Sequence, residues 1–117
     1  MAVLLGLGLL GLPAAVPQPA SAPPLRPGEP YDGARGRLLQ AGWRLASASA
    51  DPADRCGAAL PDARCRRYPE LGACSLTGLG LCRFRWQAPD GGGWAVITQG
   101  GELNGDPGLV QSWFREE

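Results

Sequence analysis

Histidine and lysine are both absent from the 117-residue chain, and no two of its cysteines stand closer than seven intervening residues. Each absence removes a class of chemistry. Without histidine there is no imidazole to act as general base, to activate a serine or cysteine, or to bind a metal in the usual way. Without lysine there is neither a Schiff-base amine nor a phosphate-loop cation. Zinc sites and thiol redox centres need close pairs of the C-x2-C kind, and the gaps between cysteines here are eight, eight and seven residues. No metal or cofactor is therefore expected. All eleven cations are arginine and eleven carboxylates balance them. Neither a nucleic-acid footprint nor an acidic tail is present. The apolar run Val3–Leu12 has ten residues, about half of what a hydrocarbon core of roughly 30 Å requires, so stable membrane insertion is not expected once a leader has been removed.

What is present begins with that run. With Ala20-Ser21-Ala22 behind it as a small-x-small cleavage pattern, it reads as a signal peptide over residues 1–22. Residues 23–30 follow as a proline-rich spacer, extended and unpacked. Cys56, Cys65, Cys74 and Cys82 in a short exported chain point to disulfides and to a periplasmic or secreted location. The expected architecture over residues 31–117 is a single α+β domain, with a short N-terminal helix packed on a three- or four-stranded antiparallel sheet and two local disulfides.

The helix is expected from about Ala34 to Ala41, capped by Asp32 and ended by Gly42, with Leu38 and Leu39 facing the core and Trp43 as a docking anchor. Residues 46–60 have no sustained period and read as an irregular loop. Leu71 to Cys74 fits a short strand, and Cys82-Arg83-Phe84-Arg85-Trp86 alternates cleanly between apolar and charged. Trp94 to Thr98 is its hairpin partner across Pro89-Asp90-Gly91-Gly92-Gly93. A register in which paired numbers sum to 180 sets Trp86 opposite Trp94, Phe84 opposite Val96 and Cys82 opposite Thr98, all on one face, and aromatic cross-strand pairing favours it. Arg83 and Arg85 then point to solvent. Residues 109–115 fit either a helical turn or a final strand, and the strand is the expectation.

Three disulfide pairings are open. Loop-closure entropy does not separate them, but the glycines between Cys74 and Cys82 permit a tight reversal, so Cys74–Cys82, and with it Cys56–Cys65, is expected. The segment running from Pro69 to Phe84 carries C-S-x-T-G-x-G-x-C over Cys74–Cys82. It resembles an element of small exported bacterial proteins, mostly uncharacterised, in which that loop leads into a hairpin. The resemblance covers about a third of the chain. It implies an exported disulfide domain with a helix on a small antiparallel sheet, and no activity or catalytic residue.

The functional expectation is a non-catalytic binding module, either inhibitor-like or an accessory subunit of an envelope assembly. Its partner would be an envelope or extracellular protein, or a glycan met by exposed tryptophan. The candidate surface is Arg83 and Arg85 with the Arg66-Arg67-Tyr68 cluster, because arginine and tyrosine are enriched where binding energy concentrates. The competing readings are a small hydrolase of cell-wall or glycan substrates, for which Glu70 and Glu102 would be the acids, and a passive structural protein whose four tryptophans form the core. Asp90 and Asp106 adjoin glycine or proline and read as turn residues.

Overall fold

The computed structural model describes residues 22–46, 63–75, 78–102 and 104–116. Its elements in chain order are α1 (Tyr31–Gln40), β1 (Arg44–Leu45), α2 (Ala63–Arg67), β2 (Leu71–Cys74), β3 (Cys82–Gln87), β4 (Gly93–Gln99) and β5 (Leu109–Glu116). They form a small α+β fold on one antiparallel sheet. The order is β1-β3-β4-β5, and β2 shares with β1 the outer edge of β3. The two-residue β1 is a strand that periodicity could not signal, and it takes the sheet to five.

Strand β3 supplies the organising period of two, with Cys82, Phe84 and Trp86 buried and Arg83, Arg85 and Gln87 exposed. Its pairing with β4 has the expected register, including Cys82↔Thr98, Phe84↔Val96 and Trp86↔Trp94. The turn closes through Ala88, whose N–H donates to the Gly92 carbonyl, and through the Asp90 carboxylate, which accepts from the Gly92 N–H at 2.8 Å. Residues 109–116 are a strand throughout. Between Val110↔Thr98 and Ser112↔Ile97 an extra residue, Gln111, bulges from it.

On the inner face Phe84 lies between two tyrosines. Its ring stacks on Tyr31 at 3.9 Å and meets Tyr68 edge-on at 5.6 Å. Trp86 and Trp43 are buried, and Trp94 and Trp113 pack against this core from its margin.

Helix α1 starts three residues before the expected Ala34. Gly33 and Gly36 weaken the intrinsic helical signal there, but Tyr31, Ala34 and Leu38 form the buried stripe and tertiary burial carries the first turn. Pro30 occupies the cap position and no side chain caps the helix, so Asp32 is a first-turn residue, not the cap. Leu39 is 43% exposed and does not face the core. The C-terminal end is as expected. Gly42 takes φ +90°, its N–H donates to Leu39 and the Trp43 N–H donates to Leu38, which together form a Schellman closure that delivers Trp43 to the core.

Residues 23–30 are not an unpacked spacer. Pro23 and Leu25 are buried. The Gly28 N–H donates to the Val110 carbonyl at 2.6 Å, and the Val110 N–H donates to the Glu29 carbonyl at 2.8 Å. Arg37 clamps the segment from the helix, donating to Glu29 Oε1 at 2.5 Å and to the Pro24 carbonyl at 2.6 Å. Proline hides such packing because it carries neither of the periodicities by which strands and helices are recognised.

Cys74 and Cys82 form a disulfide between cross-strand partners of β2 and β3. Cys65 is also disulfide-bonded. The expected partner, Cys56, lies outside the described residues, as do residues 1–21 of the expected leader and most of the loop expected over 46–60. The loop joining β2 to β3 rests on the one joining β4 to β5, with the Gly100 N–H donating to the Leu79 carbonyl at 2.9 Å. Arg64 of α2 is buried beneath these loops and donates to Cys82 Sγ at 3.2 Å.

At the centre lies a buried carboxylate. Glu70 has no exposed surface, and its Oε2 accepts from Tyr31 Oη at 2.8 Å and from Arg35 Nε at 2.6 Å. Trp86 Nε1 donates in turn to Tyr31 Oη at 3.0 Å. Removing the cation leaves a buried charge uncompensated, so Arg35→Ala is expected to cost about 3–5 kcal/mol. Tyr31→Phe strands two partners and is expected to cost about 1–3 kcal/mol. Urea unfolding checks both. A loss for Arg35→Ala no larger than that for Arg37→Ala, whose Glu29 pair lies nearer the surface, would show that the buried pair does not hold the core.

Candidate functional site

The alternation of β3 divides the candidate residues between two faces. Tyr68 is on the inner side, buried against Phe84 and Tyr31, and its hydroxyl donates to Asp32 Oδ1 at 2.6 Å. Burial, followed by its bond to Asp32, raises its pKa well above the ordinary phenol range. Arg67 pairs with Asp32 at 3.0 Å and lies over the Tyr68 ring at 5.1 Å, while Arg66 is exposed on the same short helix. Arg83 and Arg85 project from the opposite face of the sheet. The structure thus separates the five candidates into Arg66, Arg67 and Tyr68 on the helical side and Arg83 and Arg85 on the open side. Tyr68 is a core residue, not a surface anchor.

The carboxylates weighed for hydrolysis are also separated by environment. Glu70 is sequestered in the core as described, and Glu102 is an exposed residue of the loop joining β4 to β5. Asp90 and Asp106 are turn residues, accepting from the N–H groups of Gly92 and Gly108 respectively. Among the described residues, shallow grooves mark the surface. One of about 430 Å³ lies between Leu79, Gly100, Asp106 and Leu109, and one of about 360 Å³ between Arg44, Gln87 and Asp90.

The open face of the sheet has a more definite construction. Reading across it, Arg85 of β3 stands beside Ala95 of β4 and then Phe114 of β5, while Gln87, Gly93 and Glu116 form the next row. Because Ala95 and Gly93 are small, both arginine arms cross β4 and reach Glu116. Arg83 donates to Glu116 Oε2, and Arg85 Nε lies 3.3 Å from Oε1. The Arg83 guanidinium also lies 5.3 Å from the centroid of the Phe114 ring. Gly72, the bulged residue of β2, leaves room for the Arg85 stem, since a Cβ there would stand 3.3 Å from Arg85 Cδ. The Arg83 and Arg85 side chains are 47% and 46% exposed, and Phe114 is 44% exposed. This face presents an accessible ring beside the Arg83 guanidinium on paired strands.

Sequence reasoning found the two arginines but missed Phe114 and Glu116. The available signal was the β5 alternation, which puts residues 112, 114 and 116 on one face once the strand is accepted. No family model, curated protein or solved structure matches this chain.

Partial burial opposes ionisation of Glu116, but the hydrogen bonds from Arg83 and Arg85 outweigh it and hold the carboxyl below its usual range. Its folded value is thus lower than its unfolded one. The contribution of this pair is present at neutral pH and is lost as pH falls through the folded value. NMR shifts of the arginine Nε–H groups should titrate with a midpoint below that of a free glutamate. A midpoint at the free value would mean that the arginines do not hold Glu116. As a separate check on the inner cluster, Tyr68→Ala is expected to cost about 3–5 kcal/mol in unfolding experiments, whereas Arg66→Ala stays within about 0.5 kcal/mol of the parent. Equal, small losses would return Tyr68 to the surface.

Proposed function

We propose that this protein is an exported, non-catalytic recognition module that binds a protein of the cell envelope or extracellular medium through the open face of its sheet. The observation that carries the reading is the exposed Phe114 ring, with Arg83 over it and Arg85 alongside, on strands held by the ladder of β3, β4 and β5. Aromatic and arginine side chains dominate binding energy when they are presented on a support that needs no ordering. Export is supported by the apolar leader and the Cys74–Cys82 disulfide, and among the described residues no helix is long and apolar enough to cross a membrane. The second staple is proposed as Cys56–Cys65, since Cys65 carries no free thiol. Arg66 and Arg67 belong to the other face and have no part in this surface.

The test is a photo-reactive residue at position 114 in the protein expressed in its native host, with intact mass recorded alongside. The expected result is a discrete protein adduct that disappears when Arg83 and Arg85 are both changed to alanine, while thermal stability is nearly unchanged. The mature species should be shortened at the leader and lighter than its reduced form by two hydrogens per disulfide. Adduct formation that is indifferent to the double substitution would remove the proposed surface. A full-length, fully reduced species would remove export.

A further inference from the structure

The arginines of the open face are already occupied, and by what they are occupied is informative. Glu116, the last residue of β5, spreads one carboxylate across two guanidiniums, an oxygen to each. Its side chain is only 14% exposed, because the arginine arms close over it. We infer that Glu116 is a stand-in, held in cis, for the carboxylates of an acidic partner segment that displaces it from Arg83 and Arg85. This rests on the reading of the open face as the recognition surface and adds the chemistry of what is recognised.

Three observations support it. First, the pairing is unsaturated. Arg83 and Arg85 each carry five N–H donors, and among the described residues each gives one hydrogen bond, to the same side chain. Two partner carboxylates would let each guanidinium form the two-point contact that a shared carboxylate denies it. Secondly, the arginine side chains of the cis pair are nearly half exposed, and ion pairs that water reaches are individually weak and screened by salt. The stand-in can therefore be displaced. Thirdly, the two arginines are alternate residues of one strand, roughly 6.6 Å apart along it. That spacing matches carboxylates at alternate positions of an extended peptide, which lie on one side of it. Charge balance argues against an anionic membrane as the ligand. The chain carries eleven cations and eleven anions, and surface attraction to acidic lipid relies on clusters of at least four basic residues.

The probe is a five-residue peptide of alternating glutamate and leucine, blocked at both ends, titrated into the full mature protein while the arginine Nε–H signals are followed. The glutamine–leucine peptide serves as control. Weak, saturable binding is expected for the parent protein. Glu116→Gln, which keeps the shape and removes the charge, should bind about tenfold more tightly. Adding Arg83→Ala and Arg85→Ala to that variant should abolish binding, with the melting temperature confirming that it is folded. The inference is overturned if Glu116→Gln leaves affinity unchanged or lower. It is equally overturned if the glutamine peptide binds as well as the glutamate peptide, or if the gain appears only with phosphatidylglycerol vesicles. A position-114 adduct that survives such a failure would leave the recognition surface standing and remove only its preference for acids.

Discussion

A carboxylate out of contact with water has to be balanced within the fold, and Glu70 is balanced by two residues of one helix. Arg35 and Tyr31 are four positions apart on α1, hence on the same face, and both reach the same oxygen. Much else depends on this contact. Tyr31 can bond Glu70 only if α1 begins as early as it does, and in that position its N–H donates to the Gly108 carbonyl while Pro30 bridges Leu109. The N-terminal segment is thereby aligned on β5. The same hydroxyl receives Trp86, fixing β3 beneath the helix, and its ring stacks on Phe84. Burial of Tyr31 beside the Glu70 charge drives its pKa far above the phenol range, so the hydroxyl keeps the proton it donates. A buried ion pair adds little net stability over an apolar replacement. Its effect here is selective, because any other docking of α1 would leave Glu70 without its cation.

The parts of this fold that could be read in advance are those in which local pattern and tertiary outcome agree. The alternation from Cys82 to Trp86, the glycine-rich turn after Pro89 and the matched tryptophans were enough to place the hairpin register. The loop between Cys74 and Cys82 was enough to suggest their pairing. What escaped reading depends on partners distant in sequence. Glu70 looks like any surface glutamate until Arg35 and Tyr31, thirty-five and thirty-nine residues away, are brought to it. The packing of residues 23–30 depends on Val110 and Arg37. Tyr68 follows two arginines and so reads as part of a charged surface, although the short helix turns it inward and leaves Arg66 and Arg67 outside. At the candidate site, Arg83 and Arg85 were legible from β3 alone. Phe114 and Glu116 required β5 to be in register beside β4.

The two faces of the sheet are stabilised by different physics. The inner one is closed by aromatic packing and buried hydrogen bonds that depend little on salt. The outer one is held by the ion pairs of Arg83 and Arg85 with Glu116, which salt screens and protonation of Glu116 removes.

The passage of the arginine arms over β4 has its own consequence for how the chain tolerates change. Ala95 carries no charge and touches no expected partner, yet it lies wholly buried between Arg85 and Phe114. A larger apolar residue at that position would keep the strand and the hydrophobic character of the sequence, and would lift both arms away from Glu116. Variants could therefore retain every charged residue of the face and lose its geometry. The geometry of this face therefore depends on the small residues under the arms as much as on the arginines themselves.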